Sequence, residues 1–368
     1  MELNGHILTP GGWVDGIVAF GAAIERVTPG PVGEGAPTIL PGFVDLHVPG
    51  GGGADVMTGA EAVRICARTH ARHGTTAFLP TPVTAPPEDL AAAVDGIATV
   101  LRGRRPGEAR VLGAHLEGPY LNPERLGAQP PFPQAPDIAA MDRLAARVAV
   151  RLVTLAPEVD AGHAMIRHLA ARGVAVQIGH SGASYEEACA ALADGARGFT
   201  HLFNAMTPLH HRSPGVVGAA LAHGEYAALI PDLVHVHGGA ILAALRAIPR
   251  LYCVTDATAA AGMPDGDYPL GRHTVRKQGG SVFLDDGTLA GSALTMDQAL
   301  RNLVALGLDL ADAARRLSTF PADFIGAADR GRIAPGASAD FVLLDRDLCV
   351  TGVVVEGETI DPAIAPAG

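Results

Sequence analysis

The chain has 368 residues and a formal net charge of −11, with no basic run anywhere. That balance argues against nucleic acid as a partner, and every apolar stretch is interrupted well before the ~20 residues of a membrane span. The opening MELNGHILTPGG has neither a basic start nor an apolar core, and Cys66, Cys189, Cys253 and Cys349 are scattered without CxxC spacing, so a cytoplasmic protein with reduced thiols is expected.

In chain order, residues 1–41 alternate and are rich in Gly, Pro and Val, which predicts hairpins and short strands. From Gly42 the pattern changes to short apolar runs separated by Ala-rich helical stretches. The runs are GFVDLH from Gly42, TTAFLPT from Thr75, VLGAHLE from Val111, RLVTLAPE from Arg151, VAVQIGH from Val174, GFTHLF from Gly198, AALIPD from Ala227 and LYCVTDA from Leu251. Eight such units predict an α/β fold in which parallel strands close into a (β/α)8 TIM barrel. Ser184 followed by Glu187 reads as a capping box that opens a helix just after His180. An inserted hairpin is expected over about Gly271 to Gly287, with Asp286-Gly287 as its tight turn. The segment from Gly331 returns to alternating, Val-rich strands. The expected organisation is a small β-sandwich from residues 1–41 and 331–368, beside a metal-dependent hydrolase barrel over residues 42–330.

Four of the strands run straight into chemistry. Glu117, His180, His201 and Asp256 stand at or just past the C-terminal ends of their runs, and in a parallel barrel all those ends open on one face. One carboxylate and two imidazoles suit zinc or a similar divalent ion, and an adjacent aspartate is the proton acceptor that a bound water needs. Each histidine taken singly reads as an ordinary hydrogen-bonded side chain; their convergence is what marks an enzyme. Asp45 and His47 end the first strand and are candidates for further ligands, but Pro49, at the next alternate position, has no ligand atom. Arg212, in the loop TPLHHRSPG, and His235 or His237 of DLVHVHGG are candidates for holding an anion. His70, His73, His210 and His211 read as structural or solvent-facing, and the glycines of PGGGGAD as permitting close backbone approach. Lys277 is the only lysine and falls in the inserted hairpin, which argues against Schiff-base or carbamyl-lysine chemistry.

HLEGPYLNPERLGAQ, TLAPE, IGHSGASYEEA, THLFNAMTPLHHRSPG, DLVHVHGG, VTDATAAAG and GTLAGSALTM together resemble the N-acetylglucosamine-6-phosphate deacetylases of the amidohydrolase superfamily. The resemblance runs in order from PGFVDLH to GRIAPGASADFVLLD. It implies Glu117, His180 and His201 as ligands of one divalent metal ion per chain, Zn2+ by default with Fe2+ or Mn2+ as alternatives, and Asp256 as the catalytic residue. It further implies Ala128, Gln129, Asn204, Ala205, Arg212, His235, Leu289, Ala290 and Gly291 as contacts to a sugar phosphate, with His235 reaching across a homodimer. Two positions depart from the family pattern: His47-Val48-Pro49 replaces HxH, and Gln129 stands where a histidine usually follows Gly-Ala. The expected activity is hydrolysis of N-acetylglucosamine 6-phosphate to glucosamine 6-phosphate and acetate. The alternatives are a deacylase for another N-acyl amino sugar phosphate, such as N-acetylgalactosamine 6-phosphate, or a sugar-phosphate-binding protein that has lost catalysis.

Overall fold

The structure, a computed structural model, describes residues 1–363; the last five residues of the expected terminal span lie outside the described residues. Eight strand segments succeed one another through the middle of the chain: Phe43–Val48, Thr75–Pro80, Arg110–Val111 continued by Ala114–Glu117, Val150–Leu155, Ala175–Ile178, Gly198–Phe199, Tyr226–Leu229 and Arg250–Cys253. Their ladders are parallel wherever neighbours pair. Every residue of Phe43–Val48 and of Thr75–Pro80 is buried, which is why these strands read as unbroken apolar runs instead of alternating. Leu202 N–H donates to the Ala228 carbonyl and Asp256 N–H to the His47 carbonyl, so the last strand returns to the first and the ring closes as a TIM-barrel-like fold.

Helices cover the outside. In Ala60–Arg72 the residues Val63, Cys66, Ala67 and His70 are buried, the i, i+3, i+4, i+7 stripe of a helix laid on a sheet. Ser184 caps Tyr185–Ala193 in the expected reciprocal box with Glu187, so this helix starts directly behind the loop that carries His180.

Both termini build one seven-stranded ladder in the order Glu358–Ile360, Val350–Val355, Phe341–Leu344, Thr38–Pro41, Glu2–Thr9, Gly12–Phe20, Ile24–Pro29. It has its own apolar core, including Ile7, Val18, Phe20, Ile39, Phe341 and Val354. Arg104, ahead of the third barrel strand, and Arg110, its first residue, reach Glu358 and Glu356 at the last two terminal strands, and Arg330 joins Glu356 to Asp340.

The insertion is a three-stranded antiparallel sheet over Gly266–Leu270, His273–Gln278 and Ser281–Phe283. It starts earlier than expected because Tyr268-Pro269 pairs as an edge strand, a position in a sheet that tolerates proline. The turn at Asp286-Gly287 is present, closed by Gly287 N–H on the Leu284 carbonyl. Lys277 Nζ donates to the carbonyls of Ala260 and Met263. The single lysine is therefore an anchor that fastens this sheet to the loop following Asp256.

Candidate active site at the mouth of the barrel

Glu117 ends its strand, whereas His180, His201 and Asp256 lie a few residues past theirs. All three have left-handed backbones, with φ of 50°, 29° and 50°. Non-glycine residues seldom adopt this region, and it costs free energy that the surrounding structure must offset. It turns each side chain from the strand direction into the barrel mouth. The surrounding loops hold them there. Glu158 of TLAPE accepts from Ser181 Oγ, Gly182 N–H and Asn122 Nδ2, which ties the loop after His180 to the loop after Glu117. The glycine turn after the first strand donates from Gly50 N–H to the Ala257 carbonyl, and a Cβ on Gly50 would sit 2.4 Å from Ala259 N. Close backbone approach is thus what these glycines permit.

The centre is a triangle of donor atoms. Glu117 Oε1 lies 3.1 Å from His180 Nε2 and 3.1 Å from His201 Nε2, and the two nitrogens lie 3.0 Å apart. His180 Nδ1 is 2.9 Å from the Arg125 carbonyl. A carbonyl can only accept, so Nδ1 carries a proton, and it is Nε2 that is directed at the triangle. Ligands around a tetrahedral ion with bonds of about 2.0–2.1 Å are spaced by about 3.3 Å. The triangle is close to that spacing, all three residues are buried, and their nitrogen and oxygen donors suit a divalent ion. The residues fit a metal.

His47 sits beside the triangle, its Nε2 3.2 Å from Glu117 Oε2 and 3.3 Å from Asp256 Oδ1. Neither ring nitrogen of this buried histidine has an aligned hydrogen bond, so it meets the two carboxylates as a charge contact. Burial disfavours its cation, but the Glu117 and Asp256 carboxylates outweigh burial and push its pKa up to about 9. Burial likewise opposes ionisation of Glu117, yet His47, His180 and His201 hold its carboxyl well below the usual range. Burial lowers His201. Asp45 is no ligand: both its oxygens accept from Thr255, and burial pushes its carboxyl up to about 7. Its place is in closing the barrel.

A cavity of about 350 Å3 opens over these groups, large enough for a small organic molecule. Ala128, Gln129, Asn204, Ala205, His235, Leu289 and Gly291 line it together with Glu117, His180, His201 and Asp256. Two of the expected contact residues are placed elsewhere. Ala290 is fully buried in the small core beneath the inserted sheet, because its N–H pairs with the Val282 carbonyl. Arg212 is exposed and outside the cavity wall; its Nη1 lies 2.8 Å from His211 Nε2. His235 lines the cavity of its own chain. Asp232 accepts from both its N–H and its Nδ1, at 2.8 and 2.7 Å, and so folds the loop back over the mouth. Burial opposes the His235 cation, but the Asp232 carboxylate more than compensates and raises its pKa. His237 is spent as a helix cap for Gly239 N–H. Arg125, Glu124, Thr258 and Leu270 also line the cavity and were not singled out in the sequence. Arg125 follows Asn122-Pro123, and only its backbone bond to His180 shows why it lies there.

The amidohydrolase family model matches residues 38–360. The chain belongs to the amidohydrolase family. This amidohydrolase is 40% identical to N-acetylgalactosamine-6-phosphate deacetylase of Escherichia coli O157:H7, over 96% of this chain and 97% of that protein. It is 39% identical to human N-acetylglucosamine-6-phosphate deacetylase, over 89% of this chain and 84% of the human one. Among solved structures, the D267A mutant of N-acetyl-D-glucosamine-6-phosphate deacetylase from Mycobacterium smegmatis, in complex with N-acetyl-D-glucosamine-6-phosphate, superposes with a TM-score of 0.92. That match has 35% identity and covers 98% of each chain. As an amidohydrolase the protein is a hydrolase, and its buried Glu117, His180 and His201 form a group consistent with the family's divalent metal site. Among the described residues no helix is long and apolar enough to cross a membrane.

Proposed function

We propose that this amidohydrolase removes the acetyl group from an N-acetylhexosamine 6-phosphate, with N-acetylglucosamine 6-phosphate as the substrate and glucosamine 6-phosphate and acetate as products. The observation that carries the reading is the buried Glu117–His180–His201 triangle facing Asp256 across a cavity of sugar size; the deacetylase relatives support it. The galacto epimer is the second reading, favoured by the 40% identity to an N-acetylgalactosamine-6-phosphate deacetylase over nearly the whole chain.

Glu117, His180 and His201 would hold one divalent ion, Zn2+ by default. Bound there, the ion supplies Lewis acidity for the acetyl carbonyl and lowers the pKa of a water. Asp256 takes a proton from the attacking water as its oxygen bonds to the acetyl carbon. It returns that proton to the sugar nitrogen as the C–N bond breaks, because an amine must be protonated to leave. His47, held between Glu117 and Asp256, fixes the direction in which the Asp256 carboxylate faces. His235 meets the phosphate from the cavity wall, and the backbone at Asn204 and Ala205 lies beside it. Arg212, exposed with its guanidinium beside His211, would join that anion site from a second copy in a homodimer. The tests are metal analysis of the purified protein and acetate release from both N-acetylhexosamine 6-phosphates and their unphosphorylated sugars. Failure to release acetate from any phosphorylated N-acetyl sugar, with the ion bound, would overturn the reading.

A further inference from the structure

Gln129 is 8% exposed and lines the cavity next to Glu117. Both ends of its amide are engaged by the protein. Its Oε1 accepts from Thr84 N–H at 2.8 Å and its Nε2 donates to Glu117 Oε2 at 2.5 Å. The Thr84 bond fixes which end is which: a backbone N–H can only donate, so the amide oxygen faces Thr84 and the NH2 faces the carboxylate. Thr84 Oγ1 in turn donates to the Glu117 carbonyl at 3.1 Å. The three residues thus form a closed ring of hydrogen bonds around the carboxylate stem. His47 Nε2 approaches the same Oε2 at 3.2 Å. Among the described residues, Glu117 Oε1 faces His180 and His201.

We propose that Gln129 is a positioning residue that reserves one oxygen of Glu117 for the protein and leaves the other for the metal. This rests on the reading of Glu117, His180 and His201 as the metal site. The terminal torsion of a free glutamate is broad, so an untethered Glu117 could offer either oxygen or both. The Gln129–Thr84 tether selects a single oxygen in advance. It also commits one of the two N–H donors of the Gln129 amide to Glu117. Partners of this kind behind a ligating carboxylate change metal affinity by about 10–100-fold when removed.

The test is the affinity of the purified protein for Zn2+, read by competition with a chromophoric chelator, in wild type and in Gln129→Leu, Gln129→Glu and Gln129→His. Leucine has a similar volume and makes neither bond. Glutamate keeps the acceptor for Thr84 but sets carboxylate against carboxylate. Both variants should bind Zn2+ about 10–100-fold more weakly. Histidine accepts at one ring nitrogen and donates from the other, so Gln129→His should restore the affinity. In the Co2+-loaded protein, the visible spectrum of Gln129→Leu should change as the released oxygen becomes available to the ion, a signature that a purely structural role would leave alone. Wild-type affinity and spectrum in Gln129→Leu would overturn the inference. Wild-type protein that binds no Zn2+ would instead overturn the metal reading beneath it.

Discussion

Replacing Asp256 by asparagine isolates the proton transfer. The substitution keeps the shape of the side chain and removes its basicity. The backbone anchors of this residue are independent of the carboxylate: its N–H donates to the His47 carbonyl, and its own carbonyl accepts from Ser292. The side chain touches His47 Nε2 at 3.3 Å and otherwise faces the cavity. The fold and the Glu117–His180–His201 triangle should therefore survive intact. General acid–base catalysis contributes about 10²–10⁴-fold, or roughly 3–5 kcal/mol of barrier at about 1.4 kcal/mol per decade. The expected result is a fall of at least about 100-fold in kcat, with KM, metal content and melting temperature close to wild type. Acetate release under saturating substrate measures kcat, and elemental analysis of the same sample measures the metal. Near-normal turnover in a fully loaded Asp256→Asn protein would refute the assignment. A loss of metal matching the loss of activity would place Asp256 among the ligands instead.

Other outcomes follow from the geometry. Gly291 has φ 54°, and a Cβ there would lie 2.9 Å from the Asp256 carbonyl oxygen. Gly291→Ala should therefore cost about 1–3 kcal/mol in chemical denaturation and lower kcat by displacing Asp256; unchanged stability and rate would show that the loop yields freely. Asp232→Asn removes the group that raises the His235 pKa. KM for the phosphorylated sugar should then rise about 10-fold or more, with the loss greatest at neutral and higher pH, while the unphosphorylated sugar is unaffected; equal losses for both sugars would remove His235 from the anion site. Burial opposes the Glu356 carboxylate, but Arg110 and Arg330 prevail and lower its pKa from 4.5 to about 2. A depressed carboxylate stabilises above its unfolded pKa and loses that contribution as pH falls, here between about 4.5 and 2. The contribution is roughly 2–3 kcal/mol. Denaturant titrations of Glu356→Gln should show a weaker pH dependence over that window, and a slope identical to wild type would exclude this linkage.

Much of the protein was legible in the sequence because it depends on local order. Strands buried on both faces must read as apolar runs, and eight of them alternating with helices leave few ways to bury those faces other than a closed barrel. Parallel closure then sends every strand end to one mouth, so Glu117, His180, His201 and Asp256 could be grouped from their positions alone. The helix after His180 could also be placed, because a capping box is satisfied within four residues.

What only the tertiary structure decided is which atom faces which across long separations. Asp45 and His47 stand two residues apart on one strand, yet one carboxylate is consumed by Thr255 while the neighbouring imidazole enters the site. Gln129 meets Thr84 across 45 residues, and Glu158 clamps two loops that belong to other strands. Arg212 falls outside the cavity and His235 within it because Asp232 folds one loop inward while the other stays at the surface. Strand periodicity specifies the end from which a side chain emerges. Loop paths, and the competition of each polar group for partners, specify where it points, and that competition is settled only when distant segments pack together.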